Sequence, residues 1–218
     1  VIIRHSLKIL KQLQSESMKN RTTETFDHAR AQKTGVLLVN LGTPEAPTAK
    51  ALKSYLKEFL SDPRVVEVPR LLWWCILNGV ILPFRSKKSA KAYASIWTEQ
   101  GSPLLVNTQA IAKELQTTLS AQSIDVAFAM RYGQPTIDER IEALWASGVT
   151  RLLVLPLYPQ YSATTTAAVF DAVADSFKQR RWFPELRFVN QYHDDPMYIE
   201  ALVNKIRKHW RIKGRADQ

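Results

Sequence analysis

The stretch GVTRLLVLPLYPQYSATTTAAVFDAVADSFK, residues 148–178, decides the fold. Gly148 suits the left-handed cap that ends a helix. Leu152–Leu155 is short, continuous and apolar, the pattern of a strand buried on both faces. Tyr158-Pro159-Gln160-Tyr161-Ser162 then interrupts the run, and Thr164–Lys178 reads as a helix. Strand, exit loop and helix in that order make one unit of a parallel sheet.

The same alternation extends in both directions. Toward the N-terminus lie a helix over Thr136–Ala146, a strand over Asp125–Met130, and helices over Thr108–Leu119 and Ser86–Ile96. The last two are separated by the turn signal Gly101-Ser102-Pro103. Gly35–Val39 is a second buried-strand run and ends in Asn40-Leu41-Gly42-Thr43-Pro44. Thr48 can cap the helix that follows, on which Leu52, Tyr55, Leu56, Phe59 and Leu60 recur at helical spacing. Toward the C-terminus come a strand over Leu186–Val189 and a helix over Pro196–Trp210. The expected fold class is α/β: a Rossmann-like four-stranded parallel sheet with helices on both faces and right-handed crossovers. Residues 1–33 read as a loose tail, 34–195 as one lobe, and 196–218 as a helix leading away from it.

Composition fits one packed domain. The chain has 218 residues, 45% of them apolar. Its net charge of +10 is concentrated at the ends, with +4 in residues 1–33 and +5 in residues 203–218. A nucleic-acid-binding domain concentrates basic charge on a folded face, so that partner is not expected. Cys75 is the single cysteine, which excludes an intrachain disulfide and an iron–sulfur cluster held by this chain's thiols alone. A reducing cytoplasm is the natural compartment. No apolar run reaches the ~20 residues that cross a bilayer. Met18 before Lys19-Asn20-Arg21 reads as an ordinary start, with residues 1–17 as upstream translation; the alternative is that Val1 is itself a non-standard start.

Ligands of such sheets bind beyond the carboxyl ends of the strands. Three exits therefore matter: Asn40–Pro44, Arg131–Pro135 and Tyr158–Ser162. None carries a G-x-G-x-x-G or Walker pattern, which disfavours a nucleotide. They offer Tyr132, Tyr158 and Tyr161, with Tyr93 nearby, a set that suits a large flat apolar ligand. Arg131, Ser102 and the basic cluster Arg85–Lys91 suit carboxylates. Ordinary sheet-edge packing for the tyrosines and a solvated helix face for the basic cluster remain open.

The runs LLVNLGTP (37–44), IWTEQGSPL (96–104), MRYGQPTIDE (130–139) and LPLYPQYSATTT (155–166), in this order and spacing, resemble the ferrochelatase family. YLKEFLSDPRVV (55–66) and RLLWW with ILPFRS (70–86) are similar to its proteobacterial members. The resemblance implies insertion of ferrous iron into protoporphyrin IX to give protohaem, in a cleft between two lobes of which this chain is the N-terminal one. It implies substrate-binding positions at Leu41, Tyr93, Ser102, Arg131, Tyr158 and Ser162. Leu41 would lie against the macrocycle, Tyr93 and Ser102 near its propionates, and Arg131 and Tyr158 on the metal side. Iron enters there as substrate; no metal or cofactor is expected to be held by this chain. The run 71–84 resembles the apolar lip of the cleft, with peripheral membrane contact as its implication; a buried core element is the equal alternative.

The family's catalytic histidine and glutamate match nothing here, and both are expected beyond Gln218. His193-Asp194-Asp195 before Pro196 reads as a helix N-cap rather than a metal site. A lone lobe is therefore expected to bind porphyrin without metallating it. A non-catalytic tetrapyrrole-binding module is the alternative.

Overall fold

A computed structural model describes residues 29–215. Four parallel strands run β1 (Thr34–Gly42), β2 (Ile124–Tyr132), β3 (Arg151–Pro156) and β4 (Glu185–Phe188), in the spatial order β2-β1-β3-β4. The interior position of β1 explains its unbroken apolar run: Val36–Val39 are buried because both edges and both faces are covered. From β1 the chain crosses to β2 on one side, and β3 lies on the other. The switch point between β1 and β3 is where such sheets leave a crevice for ligands.

The helices are α1 (Ala49–Ser61), α2 (Arg70–Ile76), α3 (Leu82–Ile96), α4 (Pro103–Leu119), α5 (Ile137–Ala146), α6 (Ala168–Lys178) and α7 (Pro196–Lys213). One sheet face packs Leu37, Val39, Ala129 and Val154 against Ile141 and Leu144 of α5 and Val169 and Val173 of α6. The other packs Val36 and Leu38 against Ala112 of α4. A third cluster sits over the strand exits, where Leu52, Tyr55, Leu56 and Leu60 of α1 meet Leu77, Leu82, Ala90 and Tyr132. The four-stranded parallel sheet with helices on both faces is the architecture expected from the sequence.

Several boundaries differ from expectation, each for a local reason. The helix expected from Ser86 begins far earlier. α2 and α3 are continuous through a π-turn at Leu77–Ile81, and Pro83 lies inside the run instead of ending it. Proline clashes with the carbonyl four residues before it, here Gly79. The wider turn opens the ladder at that point, with Leu82 N–H donating to Leu77 O. The helix expected from Thr108 starts at Pro103, since proline is favourable in a first turn and Ser102 takes the N-cap. The helix expected from Thr164 opens with a π-turn over Ala163–Ala167 before α6.

Caps follow the sequence closely. Thr48 Oγ1 accepts from Ala51 N at 3.3 Å. Thr136 and Glu139 form a reciprocal capping box on α5. Asp195 Oδ1 accepts from Met197 N and Tyr198 N at 2.9 and 3.1 Å, which makes it the N-cap of α7. Gly148 has φ +95° at the end of α5. α7 contains no buried residue, and Ile199, Leu202, Ile206 and Trp210 form an exposed stripe along it. The expected tail over residues 1–33 lies mostly outside the described residues.

The 70–84 run is neither wholly lip nor wholly core. Leu77 and Leu82 are buried against α1, whereas Leu71, Trp74 and Phe84 are 80%, 63% and 74% exposed. Among the described residues no helix is long and apolar enough to cross a membrane.

Candidate functional site

Two glycines bring the β1 and β2 exits together. Gly42 has φ +112°, and a Cβ there would stand 1.8 Å from Tyr132 O. Gly133 has φ +85°, and its Cβ would stand 2.8 Å from Thr43 O. Only glycine permits this backbone conformation without strain and this mutual approach. The LGTP and RYGQP runs are therefore two halves of one contact. Tyr55 OH donates to Gly42 O at 3.3 Å, and Glu58 Oε2 accepts from Gly133 N at 3.0 Å, so α1 is pinned above both exits.

The six positions implied by resemblance all lie at this carboxyl edge of the sheet or on the cap above it. Leu41 is half-buried and packs against the exit cluster. Tyr93, on α3, also packs there, edge-on to Tyr55 at 6.4 Å and to Trp97 at 6.4 Å. Ser102 is buried and accepts from Thr43 Oγ1 at 2.8 Å. Asn40 Nδ2 donates to Thr108 Oγ1 at 3.0 Å, tying the start of α4 to the same exit. Ser162 Oγ lies 3.0 Å from Thr164 Oγ1 in the loop after β3. That loop is held to the β4 exit by Tyr192 N donating to Pro159 O at 2.8 Å.

Arg131 carries its own carboxylate. Its Nη2 donates to Asp62 Oδ2, its Nε donates to Ala168 O at 2.8 Å, and its guanidinium lies 4.5 Å from the Tyr132 ring centroid. Asp62 Oδ2 also accepts from Tyr132 OH at 2.8 Å. Beside this group a cavity of about 540 Å³ opens, walled by α1 and α6 and lined in part by Glu58, Asp62, Arg131 and Asp171. Leu41, Tyr93, Ser102, Tyr158 and Ser162 do not line it.

Tyr158 is the unusual member. Its ring rests on the core beneath α5 and α6, and its hydroxyl is buried without a hydrogen-bond partner. A buried hydroxyl left unpaired costs about 1–3 kcal/mol. Burial pushes its phenol above the ordinary range, and the Arg131 charge partly opposes this. Tyr132 is raised by burial and by its hydrogen bond to Asp62; Tyr55 is raised by burial and by Tyr93. Burial also raises the Glu58 carboxyl, opposed by the Gly133 N–H and Arg131. Burial is the largest cause of all four shifts.

Sequence reasoning missed Asp62, Glu58 and the role of Tyr55. Tyr55 was legible as an apolar helix position, and Asp62 only as part of the run YLKEFLSDPRVV. The partners of Asp62 and Glu58 lie about 70 residues away, and Tyr55 meets Gly42 and Tyr93 at shorter but still non-local separations. Among the described residues no group of three or more His, Cys, Asp or Glu is arranged to hold a metal ion.

A family model described as Ferrochelatase matches residues 33–218. The chain is 59% identical over 204 residues to a ferrochelatase of Idiomarina loihiensis, covering 92% of this chain and 56% of that protein. It is 59% identical over 199 residues to one of Teredinibacter turnerae, covering 90% and 54% respectively. A ferrochelatase of Pseudoalteromonas atlantica is 52% identical over 204 residues, covering 92% of this chain and 57% of that protein. The chain spans about half the length of the curated relatives it matches. Motif order, parallel-sheet architecture and these matches agree, and the chain belongs to the ferrochelatase family.

Proposed function

We propose that this chain forms one wall of a porphyrin cleft and takes part in the insertion of ferrous iron into protoporphyrin IX, a step of haem biosynthesis. The observation that carries the reading is Tyr158. It is a buried, unpartnered hydroxyl at the exit beside the switch point, at the same strand edge as the half-buried Leu41 and beside a cap bearing Tyr93. A large flat ligand with polar atoms at its centre and carboxylates at its rim suits such an edge. In this reading Leu41 lies on the macrocycle, Tyr93 and Ser102 face the propionate end, and Tyr158 and Ser162 face the metal side. Ferrous iron is substrate, not a resident cofactor.

Metallation requires removal of two pyrrole protons. Within residues 29–215 no histidine stands on the β1, β2 or β3 exit; His193 follows β4 and His209 is on α7. The reading therefore assigns proton removal to residues outside the stretch described and gives this lobe the work of binding and orienting. It also assigns peripheral membrane contact, at the cytoplasmic surface, to the exposed face of α2 and α3. Leu71, Trp74 and Phe84 form an apolar face there, flanked by Arg70, Arg85, Lys87 and Lys88.

Titration of protoporphyrin IX into this chain tests the reading. A saturable Soret shift that weakens about tenfold in Tyr158→Ala is expected; no shift overturns it. Zinc–porphyrin fluorescence separates the alternative, a tetrapyrrole-binding module without chemistry: its absence after extension to a relative's full length favours that alternative.

A further inference from the structure

Asp62 is buried at the point where α1 ends and Pro63 begins, and it joins three elements. Oδ2 takes Arg131 Nη2 and the Tyr132 hydroxyl from the end of β2, while Oδ1 takes Arg64 N at 2.7 Å. Arg131 in turn donates to the carbonyl of Ala168, the first residue of α6. The side chains of Asp62 and Arg131 are 5% and 19% exposed. An ion pair this dry gains little net stability, since desolvation offsets most of its attraction. Its better-attested effect is to fix one arrangement of the groups around it.

We propose that Asp62 is a positioning residue of the ligand cleft, holding Arg131 so that Arg131 shapes the β2 and β3 exits instead of binding a ligand anion. The geometry supports this in two ways. The guanidinium charge is already matched by a carboxylate of the same chain. Its remaining contacts lead to the Tyr132 ring and to the start of α6, the helix into which the Tyr158–Ser162 loop feeds. Asp62 therefore acts on the ligand through Arg131, Tyr132 and that loop. The inference rests on the porphyrin-cleft reading for its ligand, but not for its geometry.

Two measurements on the 218-residue chain test it. The first is protoporphyrin IX affinity by Soret titration, well below each variant's melting temperature. Asp62→Asn and Arg131→Gln are each expected to weaken binding about tenfold, the double variant no further than the worse single, and Asp62→Glu to recover most of the loss. Wild-type affinity in Asp62→Asn beside a loss in Arg131→Gln, or losses that multiply in the double variant, overturns the proposal, because Arg131 then touches the ligand itself. Should Asp62→Asn leave Arg131 unmatched and unfold the chain, Arg131→Gln is titrated with a porphyrin that carries no carboxylates: a tenfold loss supports the proposal, because no ligand anion is present to be bound, and wild-type affinity overturns it. The second measurement needs no porphyrin. Tyrosinate absorbance during alkaline titration is expected to show one buried tyrosine ionising at lower pH in Asp62→Asn, since Tyr132 loses its carboxylate acceptor and faces Arg131 unopposed. An unchanged titration in the folded variant overturns it. If the wild-type chain binds no porphyrin, the cleft reading fails and the ligand part of the proposal with it, while the titration decides separately whether Asp62 holds Tyr132.

Discussion

The β2 exit and the α2–α3 helix both pack against α1, yet they treat their aromatic residues in opposite ways. Tyr132 is fully buried, its hydroxyl on Asp62 and its ring edge-on to Phe59 at 5.1 Å. Trp74 and Phe84 are largely exposed, and Leu77, Leu82 and Ala90 are the buried apolar residues of their helix. The exit is determined many times over: by two glycines, an ion pair and a hydrogen-bonded phenol. The helix is anchored by one narrow stripe, which leaves its apolar face free for another surface. A binding wall needs the first arrangement, because its shape must not relax around the ligand. A contact with lipid needs the second.

The strongest way to break this contrast is Gly42→Ala. Its Cβ has no room beside Tyr132 O and its φ is unfavourable, so a loss above about 4 kcal/mol, or failure to fold, is expected in urea unfolding. Next is Leu82→Ala, at the anchored stripe of the helix. Cavity formation there is expected to cost about 2–5 kcal/mol, which circular dichroism melts read directly. A stability loss near zero would mean that the whole helix stands free. Tyr132→Phe removes a hydrogen bond to a charged acceptor and is expected to cost about 1.5–3 kcal/mol.

Alkaline pH sharpens the exit side. Tyr55, Tyr132 and Tyr158 all hold their protons above the ordinary phenol value of about 10. Above that pH the unfolded chain has released protons that the folded chain still binds, so stability is full below about pH 10 and falls as pH rises beyond it. Each such group contributes a slope of at most about 1.4 kcal/mol per pH unit. Tyr158→Phe is expected to flatten the decline, and an unaltered slope would place that phenol in water. The smallest effect belongs to the exposed face of α2: Leu71→Ala should move stability by less than about 0.5 kcal/mol while lowering cosedimentation with anionic vesicles. Unchanged vesicle binding would remove the membrane role from this face.

Much of this was legible in the chain. Val36–Val39 and Leu152–Leu155 had to be interior strands, because no amphipathic arrangement shelters a continuous apolar run of that length. Thr48, Gly148 and Asp195 capped the helices their positions suggested, since caps are local chemistry within four residues. The motif residues Leu41, Ser102, Arg131, Tyr158 and Ser162 all flank strand exits or the cap above them, as their places in the chain suggested. The π-turn that carries Pro83 through a helix was not legible, because proline's usual meaning is an end.

Local pattern thus determined the strands, their exits and the kind of surface they present, because hydrophobic period and capping act over a few residues. Only the tertiary structure decided what Arg131 touches. Asp62 lies 69 residues before it, and Ala168 lies 37 after it. A guanidinium reads as an anion site until the fold brings in the carboxylate that occupies it. The same folding left Tyr158's hydroxyl dry and alone, because what a buried polar atom lacks is a property of its surroundings and of no residue by itself.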